Sequence, residues 1–123
     1  MSYFVLGLLA RTGVTMKLTS KELEIMAVLW DSEYSMTATE VIGASDNRTW
    51  KENSIYIIMN TLIRKGAVVL AHHKPTVTNS ARAYKPALTS EQYMVRYVKS
   101  TKEAGVPINI QTLIEGLMEV EEG

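Results

Sequence analysis

Trp50 to Gly66 reads WKENSIYIIMNTLIRKG, and its periodicity decides the fold. Ile55, Ile58, Met59, Leu62 and Ile63 recur at i, i+3, i+4, i+7 and i+8, the spacing of one buried helical stripe. Asn53, Tyr56, Ile57, Asn60, Thr61 and Arg64 fall on the opposite face. The spacing predicts a helix from Lys51 or Glu52 to Lys65, with Gly66 at the position where a left-handed residue ends helices. Two of the outward residues, Tyr56 and Ile57, are large and apolar. Apolar side chains among polar ones on an exposed face favour a binding partner there over plain solvation.

Working towards the N-terminus, two shorter helices announce themselves by their caps. Thr19 followed by Glu22 is a capping box, in which a hydroxyl and a carboxylate each satisfy a helix-end amide. It opens a predicted helix over Ser20–Trp30, with Leu23, Met26, Ala27 and Trp30 as its buried stripe. Thr37 and Glu40 repeat the box. They open a second helix whose apolar side is Val41 and Ile42, broken by Gly43 to Asn47. Trp30 and Trp50 are read as packing residues, and Met26, Met59, Met94 and Met118 as core fillers.

Towards the C-terminus, Ala67–His73 is a predicted strand, Lys74–Ala81 a polar turn and Arg82–Lys85 the returning strand, closed by Pro86. Thr89 or Ser90 caps a further helix through about Lys102, with Tyr93, Met94, Tyr97 and Val98 in register. Gly105, Val106 and Pro107 break the chain. Ile108 to about Val120 form a last helix along which Ile110, Leu113, Ile114, Leu117 and Met118 align. These two tail stripes are the expected dimerisation face.

The composition removes whole classes of chemistry. The 123 residues contain no cysteine, which excludes disulfides, thiolate metal sites and cysteine nucleophiles. No Gly-rich phosphate loop, His-Glu-x-x-His or Gly-x-Ser-x-Gly occurs, so no enzyme is expected. The two histidines, His72 and His73, are adjacent in a predicted strand and point to opposite faces, so no metal site and no cofactor are expected. The apolar run Phe4–Ala10 is far short of the roughly 20 residues that span a bilayer, and no cation precedes it as in a signal peptide. A cytoplasmic location is expected. Met16 would serve as a native start, so residues 1–15 read as an extension whose apolar part packs on the domain or a partner chain.

The formal net charge is zero, but it is unevenly spread. Ser45–Leu88 holds seven basic residues against two acidic ones, a balance of +5. Glu103–Gly123 holds five glutamates and no basic residue, a balance of −5. One surface is built to meet an anion and another is not.

Helix, helix, helix and hairpin in that order make a mainly α fold with a small β-hairpin: a winged helix-turn-helix DNA-binding domain over residues 16–88, followed by C-terminal dimerisation helices over residues 89–123. In such a fold the second helix of the turn motif enters the major groove, about 12 Å wide, and the hairpin rides on adjacent phosphates. Phosphates take cations, amides and hydroxyls, and base edges take short directional groups with an apolar contact for thymine methyls. Lys51, Asn53, Ser54, Tyr56, Ile57, Asn60 and Thr61 are therefore the candidates for base edges and nearby phosphates. Arg48, Arg64, Lys74 and Arg82 are the candidates for the DNA backbone, with His72 and His73 beside the wing.

The residues also resemble a known family. Leu18-Thr19-x-x-Glu22-x-x-Ile25-Met26-x-x-Leu29-Trp30, Thr39-Glu40-Val41-Ile42, and Trp50-x-x-x-Ser54-Ile55-Tyr56-Ile57-Ile58-Met59-Asn60-x-Leu62-x-x-Lys65-Gly66 are similar to the opening, second helix and recognition helix of the penicillinase-repressor family. Arg82-x-Tyr84-x-Pro86 and Leu88-Thr89 resemble its wing and exit. The resemblance implies a homodimeric repressor on a palindromic operator of double-stranded DNA, released by proteolysis or by metal binding, so an effector or a protease is the further partner expected. Three departures stand out. The cysteine-rich tail of the copper-responsive branch is absent. The tail's lone asparagine, Asn109, precedes Ile110 and not the aromatic residue of the cleaved branch. Thr61 stands where the family often has arginine. A protein–protein adaptor using the same winged-helix face is the alternative from another class.

Overall fold

The computed structural model describes residues 17–77 and 79–122. The expectation for residues 1–15 lies outside the described residues. Helix α1 (Ser20–Asp31) starts where the capping box places it: the Glu22 amide donates to the Thr19 hydroxyl at 3.2 Å, and the Thr19 amide donates to the Glu22 carboxylate at 2.8 Å. Its buried stripe is Glu22, Ile25, Met26 and Leu29, which corrects the expected one. Ala27 is exposed, and Leu23 and Trp30 lie at the edge, half-buried. The apolar pattern alone treats a glutamate as an outward residue. Here Lys65 reaches the Glu22 carboxylate at 2.6 Å and lets that face turn inward.

Strand β1 (Met36–Thr37) leads into helix α2 (Ala38–Ala44), whose box is closed by Thr37 and Glu40. The helix continues through Gly43, where a break was expected. It ends at Ser45, whose hydroxyl donates to the Val41 carbonyl at 2.6 Å. A single 3-10 turn (Glu52–Ser54) precedes helix α3 (Ile55–Arg64). Ile55, Met59 and Leu62 are buried and Ile58 is half-buried, but Ile63, the last residue of the expected stripe, is exposed. Gly66 adopts φ +80°, and its amide and that of Ala67 donate to the Ile63 and Leu62 carbonyls at 3.0 and 2.9 Å. These two bonds cap the helix end and turn the chain into the sheet.

Strands β2 (Val68–Pro75) and β3 (Ser80–Pro86) pair antiparallel, and β1 adds to the other side of β3, so the spatial order is β1-β3-β2. Met36 lies opposite Tyr84 and Thr37 opposite Ala83. A two-residue strand is too short to show a period, so only the hairpin was legible. The hairpin strands are also longer than expected and the turn shorter: the Thr76 amide donates to the Asn79 carbonyl at 2.6 Å and closes it. Between Leu70 and His72 the register slips and Ala71 is left without an opposite residue, which sharpens the local twist.

Helix α4 (Ser90–Glu103) carries a third capping box, Thr89 with Gln92. Gly105, at φ +105°, ends it. Helix α5 (Ile110–Glu122) begins two residues later than expected, because the Asn109 side chain accepts the Thr112 amide at 2.9 Å and serves as its cap. The core gathers Ile25, Met26, Leu29, Val41, Trp50, Met59, Leu62, Tyr84 and Leu88. Trp30 closes its edge by donating its indole N–H to the Leu88 carbonyl at 2.9 Å. Met26 and Met59 fill the core as expected, whereas Met94 and Met118 are exposed, because the tail helices have no core of their own to fill. Among the described residues no helix is long and apolar enough to cross a membrane.

Candidate nucleic-acid interface

The outward face of α3 matches its sequence pattern. Asn53, Tyr56, Ile57, Asn60 and Arg64 are exposed, while Ser54 and Thr61 are partly so. Tyr56 and Ile57 stand 59% and 70% exposed. Such exposure of a tyrosine and an isoleucine side by side is a cost in water that a binding partner would relieve.

Tyr56 also lines a cleft of about 410 Å³ whose other walls are Thr37–Thr39 at the start of α2 and Ser80, Ala81, Arg82 and Tyr84 of β3. The structure thus brings a recognition-helix residue and a wing arginine to one groove. Thr39 and Ser80 share that wall and were missed in the sequence. Both are ordinary surface hydroxyls there, and only the packing of α2 and β3 around α3 brings them to its face.

The basic residues separate into two kinds. Arg48, expected to reach phosphate, is engaged inside its own chain. It donates to the Ser45 and Ile42 carbonyls at 3.2 and 3.5 Å, pairs with Glu52 at 3.5 Å and lies 5.3 Å above the Trp50 ring. It braces the turn between α2 and α3 over an indole that is itself buried. Lys65 is engaged by Glu22 and by the Lys17 carbonyl at 3.2 Å. Lys74 of the wing meets Glu40 at 3.0 Å. The Thr37 amide, then Lys74, hold the Glu40 carboxyl below its ordinary value. Lys51, Arg64, Arg82 and Lys85 form no ion pair among the described residues.

Arg64 is held differently. Its guanidinium donates to the Thr61 hydroxyl at 3.0 Å, and that hydroxyl donates to the Ile57 carbonyl at 3.0 Å. Beside the wing, the His72 ring nitrogen lies 3.4 Å from the Ser35 hydroxyl, and His73 is exposed.

The tail residues also divide. Tyr93 departs from the expected pairing face: it is 4% exposed, accepts the Leu18 amide at 3.4 Å and stacks on Trp30 at 5.9 Å. The joint between the sheet and α4 consumes it. Met94, Tyr97, Ile110, Ile114, Leu117 and Met118 are exposed, and Val98 and Leu113 are half-buried.

Three helices, a three-stranded sheet closed by a hairpin, and an α3 face turned outward constitute a winged helix-turn-helix. A search of curated proteins gives no match. A family model described as Penicillinase repressor matches residues 18–122. With almost all of its length inside that match, the chain belongs to the penicillinase-repressor family of DNA-binding transcriptional repressors.

Proposed function

We propose that this chain is a sequence-specific repressor that binds a palindromic operator as a homodimer in the cytoplasm and blocks the promoter by occupying it. Residues 16–88 make up the DNA-reading domain and residues 89–123 the pairing tail. Lys51, Asn53, Ser54, Tyr56, Ile57, Asn60 and Thr61 meet base edges and the nearest phosphates. Arg64, Arg82 and Lys74 meet the backbone. The observation that carries this reading is the groove shared by Tyr56 of α3 and Arg82 of the wing, beside an α3 face whose apolar residues are exposed. A helix in the major groove with a wing on the adjoining phosphates would bring those two residues to the duplex together.

Pairing through the tail is supported by α5, which exposes Ile110, Ile114, Leu117 and Met118 along one side. A helix with such a stripe gains stability by covering it. Release of the operator falls to an effector or a protease acting on the tail.

The test is a gel shift on the duplex upstream of the chain's own gene, with unrelated duplex as competitor, for the wild type and for Asn60→Ala and Arg82→Ala. Retention that survives competitor is expected. Arg82→Ala weakens binding to every duplex alike, and Asn60→Ala changes base preference. Equal loss to both duplexes, or no retention at low salt, overturns the reading and leaves the winged-helix adaptor. Sedimentation showing a monomer at micromolar concentration overturns the homodimer.

A further inference from the structure

Among the described residues, four basic side chains between Ser45 and Leu88 make side-chain hydrogen bonds, and three of them bond to carboxylates: Arg48 to Glu52, Lys65 to Glu22 and Lys74 to Glu40. Arg64 alone of the four bonds to a neutral hydroxyl. Among the described residues its charge is therefore uncompensated, while one hydrogen bond holds its orientation. Side chains on a helix lean towards its N-terminus, so residue 64 reaches back over residue 61, one turn earlier on the same face. The Thr61 hydroxyl is itself oriented, because it donates its own hydrogen to the Ile57 carbonyl and leaves a lone pair for the guanidinium.

We infer that Thr61 is a positioning residue: it presets the Arg64 guanidinium for a DNA phosphate at the last turn of the recognition helix. The inference rests on the DNA-binding reading above. For Thr61 it replaces the direct DNA contact proposed above with a role exerted through Arg64. The last turn of such a helix lies at the rim of the groove, where the backbone runs, whereas base edges are read by its first turns. An exposed arginine loses the freedom of several rotatable bonds when it docks. One already tethered to its neighbour loses less, and so binds more tightly with no added contact.

The test is a double-mutant cycle on duplex binding, using the upstream duplex and an unrelated duplex at several salt concentrations. The variants are Thr61→Val, Thr61→Ser, Arg64→Ala and the double variant Thr61→Val/Arg64→Ala. Thr61→Val keeps the shape and removes the hydroxyl. It is expected to weaken binding to both duplexes about three- to tenfold, the cost of immobilising one long side chain on docking. Thr61→Ser restores most of the loss. In the Arg64→Ala background Thr61→Val has no further effect, since nothing remains to be positioned.

An equal loss in both backgrounds overturns the inference and makes Thr61 a DNA contact in its own right. No loss in Thr61→Val also overturns it. Thermal melts of each variant separate a binding defect from an unfolded chain, and Thr61→Ser serves as the reading variant if Thr61→Val does not fold. Failure of the wild type to bind either duplex at low salt defeats the DNA reading itself. Wild-type binding with an indifferent Thr61→Val defeats only the positioning role.

Discussion

Removing the Lys65 ammonium from the buried Glu22 carboxylate tests how the domain is held together. The two meet at 2.6 Å, with the Glu22 side chain 7% and the Lys65 side chain 23% exposed. Exposed ion pairs contribute about 0.2–1 kcal/mol, and breaking a fully buried one costs about 3–5 kcal/mol. A pair with one buried and one quarter-exposed partner falls between, so Lys65→Met is expected to cost about 2–3 kcal/mol. The loss is asymmetric. Glu22 cannot reach water, whereas Lys65 can swing out on its flexible stem. Glu22→Gln keeps the box with Thr19, because glutamine also serves at that position, and removes the charge that needed a partner. It is expected to cost about 1 kcal/mol, because Lys65 recovers its hydration. Thermal or urea unfolding at one fixed protein concentration reads both, since the proposed pairing of copies would make stability concentration-dependent. At roughly 4 °C per kcal/mol for a chain of this size, Lys65→Met should lower Tm by about 8–12 °C. A loss under about 1 kcal/mol for Lys65→Met, or a greater loss for Glu22→Gln, would refute the argument that this carboxylate faces inward only because it is paired.

Leu62→Ala, beneath the recognition helix at a fully buried position, should cost about 2–5 kcal/mol in urea unfolding; a cost below 1 kcal/mol would mean that α3 does not seat on the core as described. Gly66→Ala must hold a side chain at φ +80° and should cost about 1–2 kcal/mol; an unchanged midpoint would show that the helix end re-forms without this glycine. Thr49 donates its hydroxyl and its amide to Glu24, and the hydroxyl is the larger cause of a Glu24 carboxyl held below its ordinary value of 4.5. A lowered carboxylate stabilises the fold above its ordinary value and loses that contribution as pH falls through the lowered one. NMR titration should therefore find Glu24 returning towards 4.5 in Thr49→Val, with the two proteins differing in stability at neutral pH and converging in acid. A Glu24 titration that ignores the substitution removes the bond from solution.

Legibility in the sequence followed the range of the interaction. Two of the three capping boxes read directly, because each is complete within four residues, while at α4 the sequence left Thr89 or Ser90 open as the cap. The α3 stripe as far as Leu62, and Gly66, read for the same reason. The inward face of α1 did not, since the partner of Glu22 stands 43 residues away. The internal pairing of Arg48 and Lys74 was not legible, because a cation near a predicted interface carries no sign of its carboxylate; Glu52 is four residues from Arg48 but Glu40 is 34 from Lys74. Strand β1 is invisible until β3 supplies its other half. Tyr93 sits in register with an apolar tail stripe, and only the return of the chain past Trp30 reveals that the domain's own core claims it.

These pairings change what the basic middle of the chain can do. Of its seven cations, Arg48 and Lys65 are committed to internal carboxylates and carbonyls. Lys85 lines a separate hollow with Trp30, Glu33, Tyr34 and Gln92, away from the cleft that holds Tyr56 and Arg82. Among the described residues Lys51, Arg64 and Arg82 remain as candidates without an ion pair, with Lys74 a fourth if a phosphate draws it from Glu40. For the proposed dimer, six contacts give a slope of log K against log salt of roughly −5, and eight give roughly −7. The slope therefore reports whether the wing lysine changes partner on binding. Glu40→Gln keeps the helix cap and removes the competing charge, so it strengthens binding to every duplex in either case. If the wild type shows the shallower slope and Glu40→Gln the steeper one, Glu40 withholds Lys74 from DNA. If both show the steeper slope, the phosphate wins the lysine. If Glu40→Gln weakens binding, the pair instead holds the wing in place, and the carboxylate is a brace and not a competitor.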